Sequence, residues 1–237
     1  MRRGFRYNCG MKRFVNRLAV NRGLVRLSHA LSGLWNLLTL HTPWAKRRGA
    51  RNRAALGAYA GQGHIQGQEL APVAALPYGR YTMAYNGCEV IATYNALLTL
   101  GVPLPLGEVA AWYERRGLFL GGLWGTHVLA IPRFFREHGL RADTLFASTV
   151  RERGAYDTAF AGAGAAVFSF WNSSRRLRNG VHTVALSHCP GGMAIHNLQG
   201  RDPAPCTAFH SIQELLDHSG ILPILLVTVR REGREGV

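Results

Sequence analysis

The charged residues of the chain fall into two unequal parts. Residues 1–68 contain 13 Lys and Arg side chains and neither Asp nor Glu, whereas residues 69–237 contain 15 basic and 13 acidic side chains. This asymmetry divides the chain into a strongly basic N-terminal segment and a nearly neutral remainder. The remainder is long enough to form one domain. Because hydrophobic residues make up 47% of the chain, such a domain can bury its own core.

The N-terminal segment has the pattern of a basic amphipathic helix. Apolar residues recur at helical spacing over residues 11–40, and a basic cluster follows at residues 46–53. We expect residues 1–55 to form a helical extension, and the Gly-, Ala-, Pro- and Gln-rich residues 56–80 to form a linker. Because basic side chains occur together with leucine and tryptophan, residues 1–53 either contact an anionic membrane surface or pack on the domain with their charges in water.

Hydropathy and motifs restrict where the protein works and what it binds. The longest uncharged apolar stretch, residues 28–40, has 13 residues, fewer than the 18 or so that a membrane-spanning helix needs. We therefore expect a cytoplasmic protein that is peripheral at a membrane if the basic segment binds lipid. No nucleic-acid-binding motif is present, so no sequence-specific nucleic-acid partner is expected.

The remaining residues, 81–237, change their hydrophobic period along the chain. Helical patterns come first, at residues 88–100, 106–115, 126–138 and, more weakly, 150–161. Strand patterns follow at residues 165–171, 181–186, 192–198 and 221–230, with a short helix at 210–217 before the last strand. Helices first and strands afterwards predict an α+β domain with an antiparallel sheet.

One cysteine stands at a position that favours cysteine chemistry. Cys88 follows the turn-forming pair Asn86-Gly87 and begins the helix predicted at residues 88–100. Unpaired amides and the helix dipole stabilise a thiolate at such a position, so the pKa of the Cys88 thiol should fall. The alternative is a buried structural cysteine at a helix start.

A nucleophilic cysteine needs a base and a group that orients the base. His182 lies at the start of one predicted strand, and Asn197 lies in the next strand, beyond a Pro-Gly-Gly turn. If these strands pair, their pleats could place His182 and Asn197 on one face of the sheet. We therefore predict Cys88, His182 and Asn197 as catalytic residues, with a structural or surface histidine as the alternative at position 182.

The other cysteines indicate neither a disulfide scaffold nor a metal site. Cys9, Cys189 and Cys206 bring the total to four, without a CxxC pair or paired Cys and His ligands at short spacing. We expect reduced thiols, no metal and no cofactor.

The order of these features resembles a known family. The resemblance is carried by Asn86-Gly87-Cys88-Glu89-Val90-Ile91-Ala92 at a helix start, a Gly-rich helical middle, Gly180-Val181-His182-Thr183-Val184, and Asn197 one strand later. Over about residues 80–231 the chain is similar to the papain-like cysteine peptidases of the bacteriocin-processing (C39-like) type. The resemblance implies a papain-like fold in which Cys88 is the nucleophile, His182 the base and Asn197 the orienting residue.

The resemblance also implies a bacterial enzyme that cleaves a peptide or amide substrate, as in peptide maturation. Such enzymes usually carry a glutamine about six residues before the cysteine as oxyanion donor, and Thr82 stands there in this chain. Asn86 is the candidate donor instead, together with the backbone amide of Cys88. Two alternatives stay open: an acyltransferase on the same scaffold, and a non-catalytic binding module whose basic segment contacts membrane or nucleic acid.

Overall fold

The chain begins with helices and ends with a sheet. The computed structural model describes residues 9–39, 43–56, 63–71, 73–198 and 204–232. The helices are α1 (Cys9–Ala19), α2 (Arg22–Thr39), α3 (Pro43–Leu56), α4 (Met83–Asn86), α5 (Cys88–Thr99), α6 (Leu106–Arg116), α7 (Ala130–Glu137), α8 (Ala155–Ala161) and α9 (Ile212–Ser219). The strands are β1 (Pro77–Tyr78), β2 (Tyr81–Thr82), β3 (Leu140–Phe146), β4 (Ala165–Trp171), β5 (Val181–Cys189), β6 (Gly192–His196) and β7 (Leu222–Arg231).

A five-stranded antiparallel sheet in the order β3-β7-β4-β5-β6 forms the C-terminal half. Strands β4 and β7 are apolar on both faces because helices cover both faces. On one side Val167 packs in a core with α5, and on the other side Phe168 packs in a second core with α8 and α9. The predicted α+β architecture, with helices first and an antiparallel sheet afterwards, is confirmed.

Two elements differ from the sequence prediction for identifiable reasons. Strand β3 was not predicted; it is an edge strand in which the exposed Arg141 alternates with buried residues, so only one face is apolar. The helix predicted at residues 126–138 begins only at Ala130. This late start places Pro132 in the first turn, where its missing N–H removes no helical hydrogen bond.

The predicted N-terminal helix is broken into α1 and α2. Asn21 lies between them, and its side-chain Oδ1 accepts hydrogen bonds from the backbone amides of Gly23 and Leu24 at 2.9 and 3.2 Å. Such a side chain satisfies amides that have no partner within the helix, and it therefore marks the start of α2 as a separate helix. None of the described helices is long and apolar enough to cross a membrane.

The described part of the predicted linker, residues 56–80, is packed into the domain. Gln68, Val73 and Tyr78 are all buried, and the Tyr78 hydroxyl lies 2.6 Å from Thr126 Oγ1. These described residues are therefore structural rather than a linker, because buried polar groups with partners hold a segment in place. Residues 57–62 and 72 of the predicted linker, like residues 1–8 of the predicted extension, lie outside the described residues.

Helix α2 docks on the Gly-rich loop at residues 117–125 through polar side chains. Ser32 Oγ donates to the Leu118 carbonyl at 2.9 Å. The Asn36 amide donates to the same carbonyl, and Asn36 Oδ1 accepts from the Gly121 amide at 3.0 Å. Both side chains are buried, so these hydrogen bonds fix α2 to the loop.

The Gly-rich loop touches the β1–β2 turn so closely that no side chain fits between them. A Cβ atom on Gly122, which has a φ of +83°, would lie 2.4 Å from Gly79 Cα. The Arg80 amide donates to the Gly122 carbonyl at 3.2 Å in the same contact. Because the opposing atoms are backbone, the loop cannot yield without moving the turn.

We therefore expect Gly122→Ala to destabilise the protein strongly. Gly154→Ala is the matched control, since Gly154 has a similar φ of +79° but no atom near its Cβ position. The free energy of unfolding of the control should fall by about 1 kcal/mol because of the left-handed backbone. That of Gly122→Ala should fall by about 2 kcal/mol more because of the clash. Urea unfolding of both variants measures the difference, and equal losses would show that the close contact is absent.

Candidate functional site

A cleft of about 900 Å³ opens between the N-terminal helices and the sheet. Its walls come from α1 and α2, the Gly-rich loop, the start of α5 and the start of β5. Cys88, His182 and Gln68 all line it. A cleft with several convergent polar groups is the usual form of a ligand or catalytic site.

The turn between α4 and α5 sets the position of Cys88. Gly87 joins the two helices, and a Cβ atom there would lie 2.6 Å from both the carbonyl oxygen and the sulfur of Met83. Only glycine permits this close turn. Consequently Cys88 is the first residue of α5 and faces the cleft while its side chain is largely buried.

The Cys88 thiol is paired with the neighbouring carboxyl group. Cys88 Sγ donates to Glu89 Oε2 at 3.1 Å, and Thr183 Oγ1 donates to Glu89 Oε1 at 3.4 Å. Ser169 Oγ lies 3.0 Å from Thr183 Oγ1 and extends this buried chain of polar groups. Glu89 is thus satisfied although it is only 3% exposed.

This pairing raises the pKa of the Cys88 thiol, whereas its position at a helix start was expected to lower it. Burial raises the pKa of Glu89 from 4.5 to about 7. Burial, followed by the charge of and the hydrogen bond to Glu89, raises the pKa of Cys88 well above its usual value. The prediction of a lowered pKa from the helix start was wrong in direction, because loss of water and an adjacent carboxylate outweigh the helix amides.

His182 is held in the tautomer that a base requires. Its Nε2 lies 2.5 Å from the backbone carbonyl oxygen of Asn197, and a carbonyl can only accept a hydrogen bond. Nε2 therefore carries the proton, which leaves Nδ1 unprotonated. Burial lowers the pKa of His182 and opposes the raising effect of the Asn197 carbonyl, so the ring is neutral at pH 7.

Asn197 contacts His182 through its backbone instead of its side chain. The Asn197 Oδ1 atom accepts a hydrogen bond from the backbone N–H of Gln68 at 3.0 Å, and Nδ2 donates to the Thr183 carbonyl at 3.3 Å. Asn197 has a φ of +68°, which asparagine tolerates better than most residues. The side chain thus anchors a left-handed turn that aims the carbonyl at the imidazole.

Cys88 and His182 share the cleft but are not hydrogen-bonded to each other. Among the described residues, no hydrogen bond joins Cys88 Sγ to the His182 ring. Thr183 is the β5 residue whose side chain reaches Glu89, and consecutive strand residues point to opposite faces. The His182 ring instead packs edge-on against Phe170, with centroids 5.9 Å apart.

Asn86 is engaged elsewhere, whereas Gln68, to which the sequence assigned no role, lines the cleft. Asn86 Nδ2 donates to the carbonyls of Gly122 and Tyr78 at 2.9 and 3.3 Å, so the predicted oxyanion donor is engaged in holding the Gly-rich loop. The Gln68 side chain points into the same cleft as Cys88, with Nε2 donating to the Ala84 carbonyl at 2.7 Å. Its distance from Cys88 in the sequence concealed it.

The described residues contain no group of three or more His, Cys, Asp or Glu that could hold a metal ion. Cys88, Cys189 and Cys206 are free thiols. The predicted thiol Cys9 has a side chain that lies outside the described residues. The cleft therefore offers a thiol, an imidazole, a carboxyl and amides as its chemical groups.

No model of a known protein family matches the chain, and no curated protein is significantly similar to it. The resemblance to the papain-like peptidases consequently rests on the motifs around Cys88, His182 and Asn197 and stays a prediction.

The raised pKa of Glu89 predicts a pH-dependent stability difference between the wild type and Glu89→Gln. An acid with a folded pKa of about 7 and an unfolded pKa of 4.5 stabilises the fold below pH 4.5. That stabilisation is lost as the pH rises through 7. Between pH 4.5 and 7 the free energy of unfolding of the wild type should fall by about 3 kcal/mol relative to that of the variant.

Urea unfolding at a series of pH values measures this difference. Taking the difference between the two proteins cancels the titration of buried histidines such as His127 and His196, whose pKa values burial lowers to about 3 and about 4. A difference that is constant from pH 4.5 to 8 would mean that Glu89 titrates normally.

Proposed function

We propose that the protein is a cysteine hydrolase that cleaves peptide or amide bonds through Cys88, His182 and Asn197, on a papain-like arrangement of helices and sheet. One observation carries the proposal. A helix-start cysteine lines the same cleft as a buried histidine whose Nε2 is tied to a carbonyl, so that Nδ1 can accept a proton. Nucleophile, base and orienting group are the minimum that this chemistry needs.

In the proposed reaction Cys88 Sγ attacks the substrate carbonyl carbon while its proton passes to His182 Nδ1. The first amides of a helix have no partner within it, so the Cys88 N–H can donate to the developing oxyanion. Gln68 Nε2 has a second proton beyond the one given to Ala84 and supplies the other donor. His182 then protonates the departing amine, and water hydrolyses the thioester, returning the proton through His182 to the thiol.

Glu89 keeps the resting enzyme in its neutral form. Its hydrogen bond with Cys88 holds the proton on the Cys88–Glu89 pair, and two negative charges side by side in a buried site are strongly disfavoured. Because His182 and Thr183 point to opposite faces of β5, attack requires the start of β5 to move and bring the His182 ring to the sulfur when substrate fills the cleft. Catalytic hydrogen bonds are commonly longer or absent before substrate binds.

The lining of the cleft favours a peptide with apolar side chains. Leu18, Leu24, Trp124 and Trp171 all line it, together with Arg178 near the start of β5. Apolar walls with a few polar groups bind extended chains by burying side chains and hydrogen-bonding the backbone. We infer a peptide substrate, with Arg178 suited to an acidic side chain or a terminal carboxylate.

We expect the full chain to cleave members of a mixed peptide library, with products detected by mass spectrometry. Cys88→Ala and His182→Ala should each lower kcat by a factor of about 10³ or more, as in other nucleophile–base pairs. Cys189→Ala is the matched control, because this half-buried thiol lies outside the residues that line the cleft, and it should retain full activity.

Two results would contradict the proposal. Cleavage that survives in Cys88→Ala would show that another group performs the reaction. Full activity of His182→Ala, with loss of activity in Glu89→Gln, would transfer the role of base from His182 to Glu89.

A further inference from the structure

Helix α2 carries its polar side chains towards the protein and its leucines towards water. Ser28, Ser32 and Asn36 recur every four residues, and each hydrogen-bonds with the chain beneath the helix. Another side of α2 presents the leucine face, four side chains that are each between 55% and 75% exposed: Leu27, Leu31, Leu34 and Leu38. A surface helix ordinarily has the reverse arrangement.

Helix α1 also exposes apolar side chains. Phe14 is 61% exposed and Leu18 is 41% exposed, and their four-residue spacing places them on one side of α1. Scattered apolar residues on a surface need no explanation, but a row of exposed leucines along one side of α2 marks an interaction surface.

The charges around the leucine face restrict what can cover it. Residues 1–68 hold 13 basic and no acidic side chains, and Arg17, Arg22 and Arg26 are exposed on the same two helices. A second copy docked on this face would bring two such basic segments together, and like charges disfavour that contact. A negatively charged apolar surface is complementary to both features.

We propose that the leucine face of α2, together with α1, docks in the interface of an anionic lipid bilayer. The leucines enter the boundary between headgroups and acyl chains, and the arginines contact lipid phosphates and carboxylates. The inward hydrogen bonds of Ser32 and Asn36 make this possible, because they hold α2 on the domain without using its apolar side. This inference does not depend on the reaction at Cys88.

Docking would also orient the cleft. The start of α2 lines the cleft through Leu24, Val25 and Ser28, and the middle of α2 is bonded to the Gly-rich loop that forms the next wall. The bilayer surface would therefore lie directly over one wall of the cleft.

Flotation of the full-length protein with phosphatidylcholine vesicles, with and without phosphatidylserine, tests the inference. We expect binding to the phosphatidylserine-containing vesicles that weakens in high salt. Leu31→Glu/Leu38→Glu should weaken this binding by about tenfold or more, because each leucine loses its apolar burial. The charge-neutral pair Leu31→Ser/Leu38→Ser should lose binding by a similar factor while far-UV circular dichroism stays unchanged.

Thr158→Glu/Ala161→Glu is the matched control, because it adds the same two charges at exposed positions of α8, and it should bind like the wild type. Three results would overturn the inference. They are no binding of wild type to phosphatidylserine vesicles, equal binding by the Leu→Ser pair and the wild type, or a lipid-free dimer that the Leu→Ser pair converts to monomer.

Discussion

The site depends on the packing of the first turn of α5 against β5. At that contact the buried Glu89 carboxyl bonds with Cys88 on its own helix and with Thr183 on the strand. A shift of the helix along the sheet would break the bond to Thr183 and leave one buried carboxyl oxygen without a partner, which costs more than a displaced apolar contact. This single polar bridge therefore fixes where the sulfur faces the cleft, and Gly87 allows the chain to reach that point.

Under the proposed function, the same bridge keeps the Cys88 thiol protonated until substrate binds. Without substrate the Cys88–Glu89 pair keeps its proton. The His182 ring packs against Phe170, and its Nε2 donates to the Asn197 carbonyl. A cysteine held neutral is a poor target for oxidation and alkylation, since the thiolate is the reactive form. In the proposed reaction, substrate binding has to loosen the bond between Cys88 and Glu89 and to bring the His182 imidazole to the sulfur.

Much of the fold follows from local pattern, and most of the site does not. Strand β4 was predicted at its observed bounds because residues 165–171 are apolar on both faces, whereas β3 shows its single buried face only beside β7. Periodicity places the leucines of α2 on one side but cannot say which side meets the protein. Gln68 reaches the cleft from a position distant in sequence from Cys88. The effect of Glu89 on the pKa of Cys88 comes from burial. Neither can be read from a single motif.

The most direct test is the pH dependence of Cys88 alkylation by iodoacetamide, followed by peptide mapping in the wild type and in Glu89→Gln. Cys189 and Cys206 serve as internal references in both proteins. Removing the carboxylate should lower the pH midpoint of Cys88 alkylation and leave the midpoints of the two references unchanged. An identical Cys88 midpoint in the two proteins would contradict the account of a thiol held neutral by Glu89 in the cleft.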